Sequence, residues 1–284
     1  MTLIGCFVTP HPAIIVPEVG GDRLAEAEAT VQAMRAVQAK AAALAPETIV
    51  LLSPHAPIFA RQMGISMASS YAGSLAFFGA ADVTVTAHGD QDLAEAIVDK
   101  AAEKGVHSAI TASHGDVVEL DHGSVVPLVY LMGSLEQPCR LVLLAFSQLS
   151  REEHVLFGRA VGEAVLEAPR RVLYVASGDM SHRLMPGAPV GYDPRGARFD
   201  GAVVDAFNAA DWEALLHIDP GLTAAAGECG YRSLAVLAGV VAAAEAAGLG
   251  TANRVLSYEG PFGVGYLVGE VEVSEATSEQ GGAA

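Results

Sequence analysis

Three histidines stand just past the ends of three apolar runs. The runs are LIGCFVTPH, ending at His11; TIVLLSPH, ending at His55; and RVLYVASGDMSH, ending at His182. Each starts as a β-branched, leucine-rich stretch of strand length, meets a Pro, Gly or Ser break, and then reaches the histidine. Imidazole is the commonest protein metal ligand and the usual acid or base near neutral pH. In an open α/β sheet the carboxyl ends of the strands form the edge where ligands bind. If the three runs are neighbouring parallel strands, three of the chain's nine histidines converge on one crevice.

Other residues add to this set. His11-Pro12-Ala13 and His55-Ala56-Pro57 each place a histidine at a sharp strand exit stiffened by proline, as a metal ligand requires. Taken singly, either histidine reads as readily as a loop cap bonded to backbone. Two imidazoles and one carboxylate with open positions beside them make a non-haem Fe(II) site. The candidate carboxylate is Glu228, in AAAGECGYRS at the start of a very apolar helix. The helix dipole alone would also favour an acid there. Cys229, next to it, is an alternative thiolate donor. Asp121-His122 and Asp179-Met180-Ser181-His182 each put a carboxylate near an imidazole, which raises its pKa and can fix its tautomer. The plain alternatives are an Asx-turn at Asp121 and a helix cap at Asp179. Ser53, Ser177 and Ser181 lack a GxSxG context and are not read as nucleophiles. His88, His107, His114, His154 and His217 have no comparable partners and are assigned to the surface or to satisfied core positions, His114 being the nearest of them in sequence to His122.

The elements that must position these residues follow from periodicity. Strands are predicted at Leu3 to Val8, Thr48 to Leu52, Val83 to Thr86, Arg140 to Phe146, Arg171 to Ala176, Arg254 to Glu259 and Val264 to Val273. A hairpin is predicted over Met63 to Phe78, turning at Ser69-Ser70-Tyr71-Ala72-Gly73. Helices are predicted at Gly21 to Ala45, Asp92 to Lys104, Val125 to Met132, Glu152 to Glu167, Ala197 to Asn208, Asp211 to His217 and from Glu228 to Ala247. The order implies an α/β fold: a single domain, residues 1–273, with a mixed, largely wound central sheet flanked by helices on both faces. The tail 274–284 is small and polar and is predicted to be disordered.

Composition sets outer bounds. Of 284 residues, 51% are hydrophobic, enough for a substantial core. The formal charge of −17 argues against nucleic acid and anionic membranes as partners. Three widely spaced cysteines make neither a disulfide framework nor a CxxC zinc site, which fits a reducing cytosol. No signal peptide is read at the N-terminus. The most apolar segment, LAVLAGVVAAAEAAGLG, carries Glu245 and reads as a buried helix rather than a membrane span.

With these residues in view, the chain resembles the class III extradiol ring-cleavage dioxygenases, catalytic (B-type) subunit, and the related Memo family. The likeness runs over nearly the whole chain. It is carried by His11, SPHAP, LDHGS, SGDMSH and the Glu228 region, while GPFGVGYLVGE and the Cys229-Gly230 pair are the Memo-like parts. The resemblance implies metal ligation by His11, His55 and Glu228, and acid/base roles for His122 and His182, with Asp179 supporting His182. It implies a cytoplasmic, Fe(II)-dependent enzyme of aromatic compound catabolism that opens a catechol-type ring with O2. Zinc or copper fit the same donors. The assembly it allows is a homo-oligomer or a pairing with a small second subunit. Two alternatives stand beside this reading: a Memo-like metal-binding protein without ring-cleaving activity, and a zinc-type hydrolase using the same site.

Overall fold

A computed structural model describes residues 1–275. In chain order its elements begin with β1 (Leu3–Thr9), α1 (Pro17–Gly20), α2 (Glu28–Leu44), β2 (Thr48–Leu52), β3 (Met63–Ser66), β4 (Ser70–Leu75) and β5 (Ala80–His88). Next come α3 (Gln91–Glu103), β6 (Ser108–Ala112), β7 (Val117–Glu119), α4 (His122–Met132), β8 (Arg140–Ala145), α5 (Arg151–Glu167) and β9 (Val172–Ser177). The chain then forms α6 (Arg195–Asn208), α7 (Trp212–Leu216), α8 (Pro220–Ala226), α9 (Tyr231–Ala246), β10 (Leu249–Glu259) and β11 (Tyr266–Glu275).

An eight-stranded sheet in the order β10-β11-β1-β9-β2-β8-β3-β6 forms the centre, and β5-β4-β7 form a small second sheet. The fold is the expected mixed α/β domain. Strands β1, β9, β2 and β8 are adjacent and parallel. β11 and β3 flank them antiparallel. Period-two burial divides the central strands between two cores. Cys6, Val8, Val50, Leu52, Tyr174 and Ala176 face the side covered by α3, α5, α6 and α9. Phe7, Ile49, Leu51, Leu173 and Val175 face the side covered by α2, α4 and the small sheet. Strands buried on both faces read as continuous apolar runs for this reason.

Helices α5 and α9 run parallel and nearly touch. A Cβ on Gly158 would stand 2.0 Å from the Val236 carbonyl oxygen, and one on Gly239 would stand 2.1 Å from that of Val155. Only glycine permits this approach. The contact brings the N-terminal ends of both helices to one side of the sheet.

Four expectations need correction. The predicted hairpin over Met63 to Phe78 is not one: β3 joins the main sheet beside β8 and β6, whereas β4 pairs with β5 and β7. Residues 21–27 form a 3-10 turn ahead of α2 rather than its first two turns. The long apolar helix starts at Tyr231, not Glu228, so residues 227–230 form a turn between α8 and α9. Of the tail predicted to be disordered, Ser274 and Glu275 belong to β11, and 276–284 lie outside the described residues. No described helix is long and apolar enough to cross a membrane.

Candidate metal and catalytic site

β1, β9 and β2 end flush, with Thr9 opposite Ser177 and Leu52 opposite Ala176. Their carboxyl ends deliver His11, His55 and His182 to one cleft, and the first residue of α4 adds His122. The donor nitrogens of His11, His55 and His122 lie within 4.8 Å of one another. A second group, His11, Asp179 and Cys229, meets the same limit. His11 belongs to both groups and is buried.

The hydrogen bonds around His11 determine its tautomer. Ser177 Oγ donates its single proton to the Gly123 carbonyl at 2.6 Å. It can therefore only accept from His11 Nδ1, 3.0 Å away. The Nε2 lone pair of His11 then points into the cleft, where it meets His55 Nε2 at 3.0 Å. Two imidazole nitrogens this close need a shared proton or a cation between them. The two nitrogens are placed so that one ion could take both as ligands, and imidazole nitrogens suit zinc, copper and iron alike.

Backbone and side-chain contacts tie the loops together. The His11 N–H donates to Asp179 Oδ1 at 3.0 Å. Ser53 Oγ donates to Asp121 Oδ1 at 2.7 Å and accepts from the His55 N–H at 3.2 Å. Asp121 caps α4 through the Ser124 N–H, which orients His122 at the first position of the helix. Cys229 Sγ lies 3.7 Å from His11 Nε2 and 3.8 Å from His182 Nε2. Asp179 Oδ2 lies 3.5 Å from His11 Nε2 and 4.0 Å from His182 Nε2. The Cys229 and Gly230 N–H groups both donate to the Asp179 carbonyl. Beneath them Gly178 packs directly on Gly230: a Cβ on Gly178 would stand 2.2 Å from the Gly230 Cα.

Electrostatics favours neutral imidazoles. Burial, then the neighbouring His55 and His122, holds His11 well below the usual histidine range. Burial likewise lowers His122 and His182, with Asp179 opposing it at His182. Burial pushes the Asp179 carboxyl up to about 6. A cleft of about 540 Å³ opens over the cluster, walled by Ile14, Val19, Phe78, Phe262 and Val264, with Arg23 beside Phe262. The Phe78 ring meets His122 edge-on, centroids 5.6 Å apart. These walls suit a flat apolar ring, and the neutral imidazoles suit proton acceptance and metal ligation.

The expected site residues divide. His11, His55, His122, His182 and Asp179 come together. Glu228 does not join them: its carboxylate accepts from the Tyr231 N–H at 2.6 Å and lines a different cavity. Its neighbour Cys229 faces the histidines instead. Ser177 and Ser53, rejected as nucleophiles, turn out to be the groups that orient His11 and connect the His55 loop to α4. The available signal was a serine at or just past a strand end, a few residues before a histidine. The excluded histidines have local roles where their contacts are resolved. His154 is buried with Nδ1 against the Ser150 carbonyl, and His114 is exposed and paired with Glu95.

Comparison with known proteins gives the family. A Clostridium acetobutylicum protein, CA_C1420, is 34% identical over 277 residues, covering 96% of this chain and 58% of that protein. A Pseudomonas putida 2,3-dihydroxyphenylpropionate/2,3-dihydroxicinnamic acid 1,2-dioxygenase is 27% identical over 158 residues, 54% of this chain and 48% of the enzyme. A Mycobacterium sp. (strain MCS) enzyme of the same description is 31% identical over 141 residues, 42% of this chain and 43% of the enzyme. The matches thus span about half the length of these relatives. The crystal structure of an uncharacterized Escherichia coli K12 protein shares the fold, with a TM-score of 0.62 at 17% identity, covering 94% of this chain and 99% of that one. Residues 5–269 match the catalytic LigB subunit of aromatic ring-opening dioxygenase, and the chain belongs to that family.

Proposed function

We propose that the protein is a non-haem Fe(II) dioxygenase that opens the ring of a catechol-type substrate with O2. The observation that carries this reading is the His11–His55 nitrogen pair at 3.0 Å, at the floor of an apolar cleft, in a chain of this family. His11 and His55 hold the metal, and the third donor comes from the wall formed by Asp179 and Cys229. Glu228, the carboxylate expected from the family resemblance, is turned away from this wall, and Asp179 supplies the equivalent charge. Bound there, the metal ion supplies Lewis acidity and a common template for the diol and O2.

The chain's own residues do the rest. Phe78, Phe262 and the aliphatic wall hold the ring and exclude water. His182, kept neutral by burial, accepts a phenolic proton, and Asp179, whose Oδ2 lies 4.0 Å from His182 Nε2, steadies the imidazolium that results. His122, across the cleft and likewise neutral, takes up a second phenolic proton, returns it as ring opening proceeds, and fixes the ring edge. Purification without oxygen, metal analysis and O2 uptake with a panel of catechols test the reading. Iron-dependent uptake with ring-opened products is expected, and absence of uptake with every catechol in the iron-loaded protein refutes it.

A second reading is favoured by one observation. Cys229 Sγ stands within 4 Å of two imidazole nitrogens. A thiolate donor makes the site softer and suits copper. The protein would then be a metal-binding, Memo-like member of the family without ring cleavage.

A further inference from the structure

Glu228 leads to a second cavity that the proposed reaction does not use. It measures about 450 Å³ and is lined by Ser150, Arg151 and His154 of the α5 start and by Glu228, Tyr231 and Arg232. Arg151 Nη1 donates to the Leu216 and Ile218 carbonyls and the Tyr231 hydroxyl, and it has no carboxylate partner among the described residues. Arg232 lies over the Phe146 ring at 5.5 Å and has neither a carboxylate nor a hydrogen-bond partner among the described residues. Two guanidinium groups against one carboxylate leave the lining net positive, in a chain of net charge −17. The carboxylate is itself turned to the Tyr231 N–H. His154 adds no charge, because burial keeps it neutral and both ring nitrogens meet backbone.

We propose that this cavity is a binding site for a small oxyanion, a carboxylate or a phosphate, separate from the histidine cleft and held by Arg151 and Arg232. Arg presents a planar fork of donors that matches either group, and a guanidinium stacked on an aromatic ring is already partly desolvated and oriented. The cavity also lies at the N-terminal ends of the parallel helices α5 and α9, whose dipoles add to the positive potential. The two sites share one wall. Glu228 faces the oxyanion cavity and Cys229, the next residue, faces the histidines. An occupant gripping Arg232 therefore bears on the turn that carries Cys229.

The test is calorimetric titration of the full chain with inorganic phosphate and, separately, with acetate. At least one should bind, and the one that does identifies the source class. Arg232→Gln should weaken that binding by about tenfold or more, the loss expected for a charge-assisted pair. Arg23→Gln, at the histidine cleft, should leave it unchanged. Nε–Hε NMR signals of the wild-type arginines give a second measurement independent of variant folding. Titration should move Arg151 and Arg232 and leave Arg23 in place. Failure of both ligands to bind, or binding that leaves the Arg151 and Arg232 signals unmoved, overturns the proposal.

Discussion

Gly178→Ala is the most exacting test of how the site is held together. The added Cβ would lie 2.2 Å from the Gly230 Cα and 3.1 Å from its nitrogen, both backbone atoms with no rotamer to yield. Ordinary contact begins at 3.4 Å, so the two loops must part by about 1 Å. Overpacking of this kind costs about 1–3 kcal/mol. For a domain of this size that lowers Tm by roughly 2–4 °C per kcal/mol. The larger effect falls on the site. Asp179 follows Gly178, Cys229 precedes Gly230, and both N–H groups of the turn bind the Asp179 carbonyl. Moving one wall by about 1 Å is expected to lower turnover by about 100-fold. Iron affinity should fall by about 10–100-fold, the usual cost of disturbing groups that orient ligands. Gly201→Ala in α6 is the control: nothing lies within 4 Å of its Cβ, and the change should stabilise the helix by up to about 1 kcal/mol. Thermal melts and competitive iron titration of both variants read the outcome. A Gly178→Ala protein with wild-type Tm and iron affinity would refute the claim that this contact sets the site.

Ser177→Ala removes the acceptor that holds His11 in one tautomer and leaves the buried Gly123 carbonyl unpaired, so iron affinity should drop by about 10–100-fold and stability by about 1–3 kcal/mol; an unchanged affinity in competitive titration would count against the tautomer argument. Asp179→Asn should abolish iron retention and O2 uptake under the dioxygenase reading, with Cys229→Ser and Glu228→Gln nearly silent; metal loss from Cys229→Ser alone, measured side by side, would favour the thiolate reading. Because burial depresses the His11, His122 and His182 pKa values, unfolded histidines take up protons from about pH 6.5 downward while the folded ones stay neutral. Their contribution to stability is complete above that value and is lost as pH falls through the lowered folded values, and the ring NMR signals of all three should not titrate between pH 7 and about 6.5; a midpoint near 6.5 in any of them would contradict the lowered values.

The central architecture was legible because parallel strands buried on both faces leave continuous apolar runs, and three of these ended in histidine. Their order was not. Nothing local in β3 says that it pairs with β8 and β6 instead of with β4, because sheet partners are chosen by distant segments. The helical region from Glu228 was read by periodicity, which does not register that residues 227–230 stop short of α9. Adjacent residues point about 100° apart at a helix start, so a chain reading could narrow the third donor to Glu228 or Cys229 but not choose the face. Family resemblance pointed to Glu228, whereas the turn uses it to bind the Tyr231 N–H. Asp179 was visible as a neighbour of His182 in sequence, but its bond to the His11 N–H spans 168 residues.

The strand order has a consequence for how the site is made. β9 lies between β1 and β2, so the two strands that carry His11 and His55 never touch each other. Before β9 is inserted they have no common neighbour to set their spacing. A full strand interval of roughly 4.8 Å must be filled on either side of β9 for the sheet to close. During synthesis His11 and His55 therefore leave the ribosome long before they can form a pair, and residues 172–177 must follow them. The turn at 227–230 arrives later still. Iron offered to a nascent chain would find isolated imidazoles, and only a nearly complete polypeptide presents the binding geometry. On the dioxygenase reading metal loading would follow translation, and chains truncated before β9 should fail to retain iron even where their N-terminal half is intact.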